Sequence, residues 1–288
     1  MNHSGLHRQA VFLLALTALL WSSSGFLVKI ISWQPLSILG GRSIISTVVF
    51  LVYLRHFDLH WTRLQIAGAV GYVGAQLLFI MATKLTTAAN AIFLQYTSPI
   101  YVVLFGYWLL GERPQRADWI SMAVIFAGLF LFFGDDLSSG GFYGNVLAIL
   151  SGMAMALMIL CMRGQKDAVP ANTILLGNIV GALIGLPFLL REEFTPPSLG
   201  IISYLGVFQI GLSFIFYSIA IKHVPAVQST LILTLEPILN PLWVFLAIGE
   251  TPGQLALVGS ILVIGAVTSR ALISARATPD DMSPVGQG

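Results

Sequence analysis

Ten apolar runs, each close to the length of a membrane-crossing helix, follow one another along this chain with only short links between them. They fall at about 9–30, 35–54, 64–83, 88–111, 117–134, 143–162, 171–190, 198–220, 226–249 and 253–273. A helix needs about 20 mostly apolar residues to cross the hydrocarbon of a bilayer. In lipid the backbone must satisfy its own hydrogen bonds, which leaves the α-helix as the solution for runs of this kind. Charge agrees: 9% of the residues are Asp, Glu, Lys or Arg and 57% are hydrophobic, whereas a soluble domain carries roughly 25% charged residues. The links "SWQP", "RHFDLHWTR", "GERPQR", "GDDLSSGG", "RGQKDAVP" and "REEFTPP" hold the proline, glycine and charge that stop helices. Arg8 precedes the first run as it would in a signal peptide. No convincing small-residue cleavage site follows and nine more spans do, so the run reads as a retained helix. The expectation is an all-α integral membrane protein of ten transmembrane helices, followed by a disordered tail over 275–288.

Lys and Arg fix the orientation, because cytoplasmic segments collect them. With the N-terminus inside, the inner segments hold Arg8, Arg55, Arg63, Arg113, Arg116, Arg163, Lys166, Lys222, Arg270 and Arg276, and the outer ones only Lys29, Lys84 and Arg191. Both termini are expected in the cytoplasm. Arg42 is left over, about seven residues into the second span, and is expected to snorkel outward.

The chain also repeats itself. The segment "ATKLTTAANAIFLQYTSPIYVVLFGYWLLGERP" at 82–114 aligns without gaps to "AIKHVPAVQSTLILTLEPILNPLWVFLAIGETP" at 220–252. Lys84 falls on Lys222, Pro99 on Pro237, and Gly111-Glu112-x-Pro114 on Gly249-Glu250-x-Pro252. Unrelated apolar helices share Leu, Ile and Val by chance, but not a lysine, a mid-span proline and a terminal G-E-x-P in one register. The reading is a duplication, with repeats over 1–138 and 139–274. Five spans per repeat force the second copy into the membrane upside down. Inverted repeats are the common architecture of secondary transporters, with the binding site near the midplane.

The ten spans, the inverted halves and the "P…GE.P" ending of the fourth and ninth helices resemble the EamA-type branch of the drug/metabolite transporter superfamily, and most closely bacterial aromatic amino acid exporters of the YddG type. The resemblance covers about 9–273. It implies a basket of helices in which spans 1, 3, 4, 6, 8 and 9 line a central cavity and spans 5 and 10 sit at the periphery.

The ninth run places Glu236, Pro237, Asn240 and Pro241 near its middle. A charge there costs about 2.5–3.5 kcal/mol on insertion scales, which makes it a functional-site candidate by default. Gln228, Glu236 and Asn240 share one helix face, with Trp243 nearby. Each proline removes an N–H and strands a carbonyl about four residues earlier, here near Leu233 and Pro237, as an added acceptor. The fourth run puts Asn90, Thr97, Tyr101 and Trp108 on one face, with Ser98 in register with Glu236. The third shows Gly68, Tyr72, Gln76 and Phe79, the eighth Gln209, Ser213 and Phe216 or Tyr217, and the first Thr17, Trp21 and Ser24. The candidate substrate-binding residues are Trp21, Tyr72, Gln76, Asn90, Thr97, Tyr101, Gln209, Ser213, Gln228, Glu236 and Asn240. Gly177, Gly181 and Gly185 at spacing four predict tight packing of span seven. Met153, Met155, Met158 and Met162 read as core filling, and Trp33, Trp61, Trp108 and Trp119 as interfacial anchors.

Other chemistry finds no footing. All five histidines lie in tails or links, and the sequence has no H-E-x-x-H, G-x-S-x-G or phosphate-binding loop. One cysteine, Cys161, allows no disulfide framework, and the basic stretches are too short for nucleic acid. No cofactor, metal or catalytic residue is expected. The partners expected are a small-molecule substrate and membrane lipid, with a monomer as the default. The reading is a secondary exporter of aromatic and other neutral amino acids in a bacterial inner membrane. A carrier of other metabolites or drugs, a channel, an intramembrane enzyme and a structural subunit stand as alternatives.

Overall fold

The computed structural model describes residues 3–55, 61–86, 88–133, 141–239 and 254–276, all helix and connection, with no strand among them. In chain order the elements are α1 (His3–Ser22), α2 (Ser24–Ile30), α3 (Pro35–Leu54), α4 (Arg63–Leu85), α5 (Ala88–Gln95), α6 (Ser98–Leu110), α7 (Arg116–Phe133), α8 (Phe142–Gly164), α9 (Ala171–Leu189) and α10 (Pro196–Tyr204). A π-helical stretch, Leu205–Leu212, runs into α11 (Ser213–Ala220), followed by α12 (Ala226–Leu233), a short helical piece at 235–239, and α13 (Gln254–Arg276). Six stretches among the described residues are long and apolar enough to cross a membrane: Pro35–Leu54, Arg63–Leu85, Ala91–Leu110, Phe142–Gly164, Ala171–Leu189 and Pro196–Ala220. Ala226–Leu239 and Leu257–Arg270 are shorter apolar helices.

Several of the runs read as single spans are broken. Ser23 separates α1 from α2, residues 96–97 separate α5 from α6, and Thr234 ends α12. The two later breaks fall just before Pro99 and Pro237, where a missing N–H and ring crowding stop the ladder. Helix ends elsewhere follow local chemistry. Thr62 accepts from the Gln65 N–H at 3.2 Å and its own N–H donates to Gln65 Oε1 at 2.8 Å, a reciprocal cap that starts α4. Gly111 closes α6 with φ +68°, a left-handed turn that turns Glu112 out of the helix.

Close backbone contacts hold the middle of the bundle together. The glycine stripe of α9 packs on α3 and α4, as the spacing of its glycines predicts. A Cβ on Gly40 would stand 2.7 Å from the Gly185 carbonyl carbon, and one on Gly181 2.8 Å from Ser43 Oγ. The pair α4 and α8 is as tight, since a Cβ on Gly71 would meet the Met158 nitrogen at 2.7 Å. With no hydrophobic drive between helices in lipid, such close approach supplies the dispersion that holds them. Met155, Met158 and Met162 are buried in the core as filling, and Met153 is exposed. Trp33 does not serve as an interfacial anchor; it is buried edge-on against Phe194 at 5.5 Å, with Nε1 donating to Glu193 O.

The helices α7 and α13 pack mainly on each other. The Arg270 Nε donates to Asp118 Oδ1 at 2.6 Å in a buried ion pair at one end of this pair. Ile120, Phe130 and Ile261 on these helices, like Val52 and Trp108 elsewhere, are exposed, as lipid-facing positions require.

Gly40→Ala should cost about 1–3 kcal/mol by overpacking, read as a lower unfolding midpoint in detergent. Gly200→Ala, with open space around the added methyl, should leave the midpoint at or above the parent's.

Candidate functional site

The two proline breaks meet. Pro237 has no N–H to give to Leu233 O, and the Tyr96 hydroxyl, from the break of the other half, approaches that carbonyl at 3.1 Å. The same hydroxyl lies 2.5 Å from Glu236 Oε2. Tyr96 Oη carries one hydrogen, so the two contacts depend on the carboxyl. An ionised Glu236 takes the Tyr96 hydrogen; a protonated Glu236 donates to Tyr96 Oη, whose own hydrogen then goes to Leu233 O. Around the first break, Gln95 Nε2 donates to Ser151 Oγ and Ser151 Oγ donates to Ala75 O, each at 2.7 Å. These bonds tie α5, α8 and α4 together. Gly152 leaves room for the carbonyl freed by Pro99: a Cβ there would stand 2.7 Å from Gln95 O. Thr97 and Thr234 each turn their hydroxyls back onto the carbonyl three residues earlier, at 2.6 Å, and so stabilise the broken turns.

A second group joins the first, third and eighth runs. Trp21 Nε1 donates to Ser213 Oγ at 2.8 Å, and Ser213 Oγ donates to Gln209 O. The Phe214 ring bridges Trp21 at 4.8 Å and Tyr72 edge-on at 5.2 Å. Tyr72 Oη donates to Asn178 Oδ1 at 3.0 Å, and Asn178 Nδ2 donates to Ile174 O at 2.9 Å. One turn along α4, Gln76 Oε1 accepts from the Arg42 guanidinium at 2.6 Å. Arg42 does not snorkel outward: it is 3% exposed and points into the bundle. Gly206 of the π stretch packs close to Ile45 and to the Arg42 carbonyl. The interior therefore holds a cation as well as a carboxylate.

Of the residues expected from sequence, Trp21, Tyr72, Gln76, Gln209, Ser213 and Glu236 belong to these two groups. Gln228 is buried in α12. Tyr101 packs part-buried on the core. Thr97 serves its own turn. Asn240 lies outside the described residues, and of Asn90 only the backbone, in α5, is described. Trp108, placed on the face of Thr97 and Tyr101 by regular helical spacing, is exposed. Tyr96, Asn178 and Arg42 were not expected. The register that matched Ser98 to Glu236 sets Tyr96 opposite Thr234 and marks it as a break residue. Asn178 stood as the one amide inside the glycine stripe. Among the described residues, the buried Gln209 Oε1, Ser98 Oγ and Tyr217 Oη have no hydrogen-bond partner; orphans of this kind are rare and call for an explanation.

A third cluster joins the ends of several helices. Glu112, from G-E-x-P, accepts from Arg163 Nε at 2.6 Å through one oxygen and from the Ala226 N–H at 3.0 Å through the other. It caps the positive end of α12. Arg163 also donates to Ile221 O at 2.8 Å and Lys222 O at 2.7 Å, which neutralises the last carbonyls after α11.

Residues 8–134 and 142–269 each match the model of the EamA-like transporter family. An uncharacterized transporter of Archaeoglobus fulgidus is 23% identical over 279 residues, covering 88% of this chain and 94% of that one. The threonine/homoserine exporter RhtA of Escherichia coli is 25% identical over 236 residues, with 77% of each chain covered. The pseudopaline exporter CntI of Pseudomonas aeruginosa is 25% identical over 232 residues, covering 77% and 81%. A solved crystal structure superposes with a TM-score of 0.78 at 19% identity, over 92% of this chain and 98% of that one, a likeness of fold.

Tyr96→Phe and Glu236→Gln should not be additive in thermal unfolding. A coupling of about 1–3 kcal/mol is expected from the shared hydrogen bond and the carbonyl left behind; additivity within about 0.5 kcal/mol would mean the breaks do not support each other.

Proposed function

The chain belongs to the EamA-like transporter family, and we propose that it is a secondary exporter of neutral amino acids, aromatic ones included, working by alternating access. It crosses a bacterial inner membrane ten times as two inverted five-helix repeats, with both termini in the cytoplasm. The observation that carries this reading is the contact of the two register-equivalent breaks, with Glu236 at the join. A carboxylate in the middle of a membrane bundle, beside broken helices, is the usual construction of a transporter site. The exporters among its relatives support the amino acid class, since one handles threonine and homoserine. The interior aromatic group of Trp21, Tyr72 and Phe214 supports neutral side chains on the substrate. The likeness to a pseudopaline exporter favours a second reading, export of a larger metabolite.

In this reading Glu236 attracts the substrate ammonium, a charge-assisted bond strengthened where water is scarce. The cluster of Glu112, Arg163 and Ala226 lies at the cytoplasmic end and closes it in this conformation. Opening to the cytoplasm requires those bonds to part, while the outer ends close.

Proteoliposomes holding the purified protein should release radiolabelled threonine, homoserine and phenylalanine well above protein-free vesicles, at carrier rather than channel rates, and should not release triose phosphate. Absence of flux for all three amino acids would overturn the reading. Glu236→Gln should weaken apparent affinity at every pH by about 10–100-fold, the range for a hydrogen bond to a charged group. Unchanged affinity with loss of the pH dependence of flux would assign the carboxylate to proton transfer. If both stay unchanged, Glu236 is structural.

A further inference from the structure

Arg42 is a buried charge with no carboxylate paired to it among the described residues. It sits about two turns into α3, 3% exposed. A guanidinium offers five N–H donors and cannot discharge itself. Here one donor is used, towards Gln76 Oε1 at 2.6 Å. Among the described residues Arg42 shows this one hydrogen bond and no ion pair. The ion pairs in that set are Arg163 with Glu112 and Arg270 with Asp118; none involves Arg42. Arg270, buried, and Arg163, part-buried, show how this chain treats such a group at helix ends: each has a carboxylate at 2.6 Å. A buried cation without a counter-charge is strongly unfavourable.

The surroundings of Arg42 are neutral and polar. Tyr72, one turn away on α4, gives its hydroxyl to Asn178. The π stretch that packs against the Arg42 backbone through Gly206 also carries Gln209, whose Oε1 is buried without a partner. An eight-residue π segment is itself rare, and such segments occur mostly at functional sites. The bundle's interior carboxylate does not meet this demand, because Glu236 is engaged with Tyr96.

We propose that Arg42, held at one corner by Gln76, binds the α-carboxylate of the transported amino acid, so that recognition is bipolar, with Arg42 for the carboxylate and Glu236 for the ammonium. This rests on the exporter reading above and narrows it to substrates with a free carboxylate. A planar carboxylate matches the guanidinium fork. A phosphate monoester would bring a second negative charge for which no further interior cation stands beside Arg42 among the described residues. Gln76 acts as a positioning residue, since it orients the guanidinium and does not itself need to touch the ligand.

The test is competition in proteoliposomes loaded for counterflow. Radiolabelled L-threonine and L-phenylalanine are each competed by the unlabelled acid, by its amide, in which the carboxylate is replaced by a neutral group of similar size, and by inorganic phosphate. The wild type should prefer each acid to its amide by at least tenfold, with no competition by phosphate. Arg42→Gln should abolish the preference by weakening the acid while leaving the amide unchanged. Arg42→Lys, which keeps the charge but loses the fork, should retain part of it, and Gln76→Leu should reduce it without abolishing it. A tenfold preference surviving in Arg42→Gln overturns the proposal, as does a wild type that takes acid and amide equally. Competition by phosphate at the affinity of the acid would overturn the choice of a carboxylate. If Arg42→Gln fails to fold, Arg42→Lys decides: full preference there, with unchanged affinity for the acid, counts against the fork. A wild type that moves neither amino acid fails the exporter reading itself, a result separate from any behaviour of the variants.

Discussion

A carbonyl oxygen released by proline inside a bilayer must find its donor within the protein, because no water is there to supply one. Leu233 O is such an oxygen, and its donor comes from the other half of the chain, at Tyr96. That single requirement explains why the two broken helices lie against each other, why Gly152 leaves room beside Gln95, and why Ser151 and Gln95 are bonded across three helices. The carboxyl of Glu236 is held by the same hydroxyl. Its charge is thereby joined to the backbone geometry of the break, and a change in one is felt by the other.

Charges elsewhere follow a different rule. Glu112 with Arg163 and Asp118 with Arg270 are ion pairs with further hydrogen bonds, and they sit at helix ends. Each pair joins elements that are separate in sequence: α6 to α8 and the start of α12, and α7 to α13. Paired charges at the ends fix the frame. In the interior, Arg42 and Glu236 rest on neutral partners, Gln76 and Tyr96, which hold a charge in position without cancelling it.

The all-helical apolar character, the tandem repeat and the close packing of the glycine stripe were legible in the sequence, because each rests on a period or a register. Six long apolar stretches and two shorter ones stand where runs were read. Side-chain direction was less legible. An arginine seven residues into a span can reach the interface or the interior with the same spacing, and what marks the interior for Arg42 is a partner on another helix, Gln76. Tyr96 escaped because its role comes from a carbonyl about 137 positions away, which no local pattern encodes. Tyr72 and Gln76 share one face of the unbroken α4, whereas Trp108, in the equally regular α6, is exposed.

The glycine contacts have a mechanical consequence. Helices α3, α4, α8 and α9, two from each half, touch backbone to backbone at Gly40, Gly71 and Gly185, with no side chains long enough to yield between them. A block with so little slack transmits displacement and does not absorb it. Rearrangement therefore concentrates where the ladder is already interrupted: at Ser23, at residues 96–97, at the π stretch and at Thr234. Trp21 and Tyr96 lie beside such joints, whereas Arg42 and Tyr72 belong to the block itself. The molecule is a stator with jointed arms, and its stiffest part is shared equally by both copies of the duplicated unit.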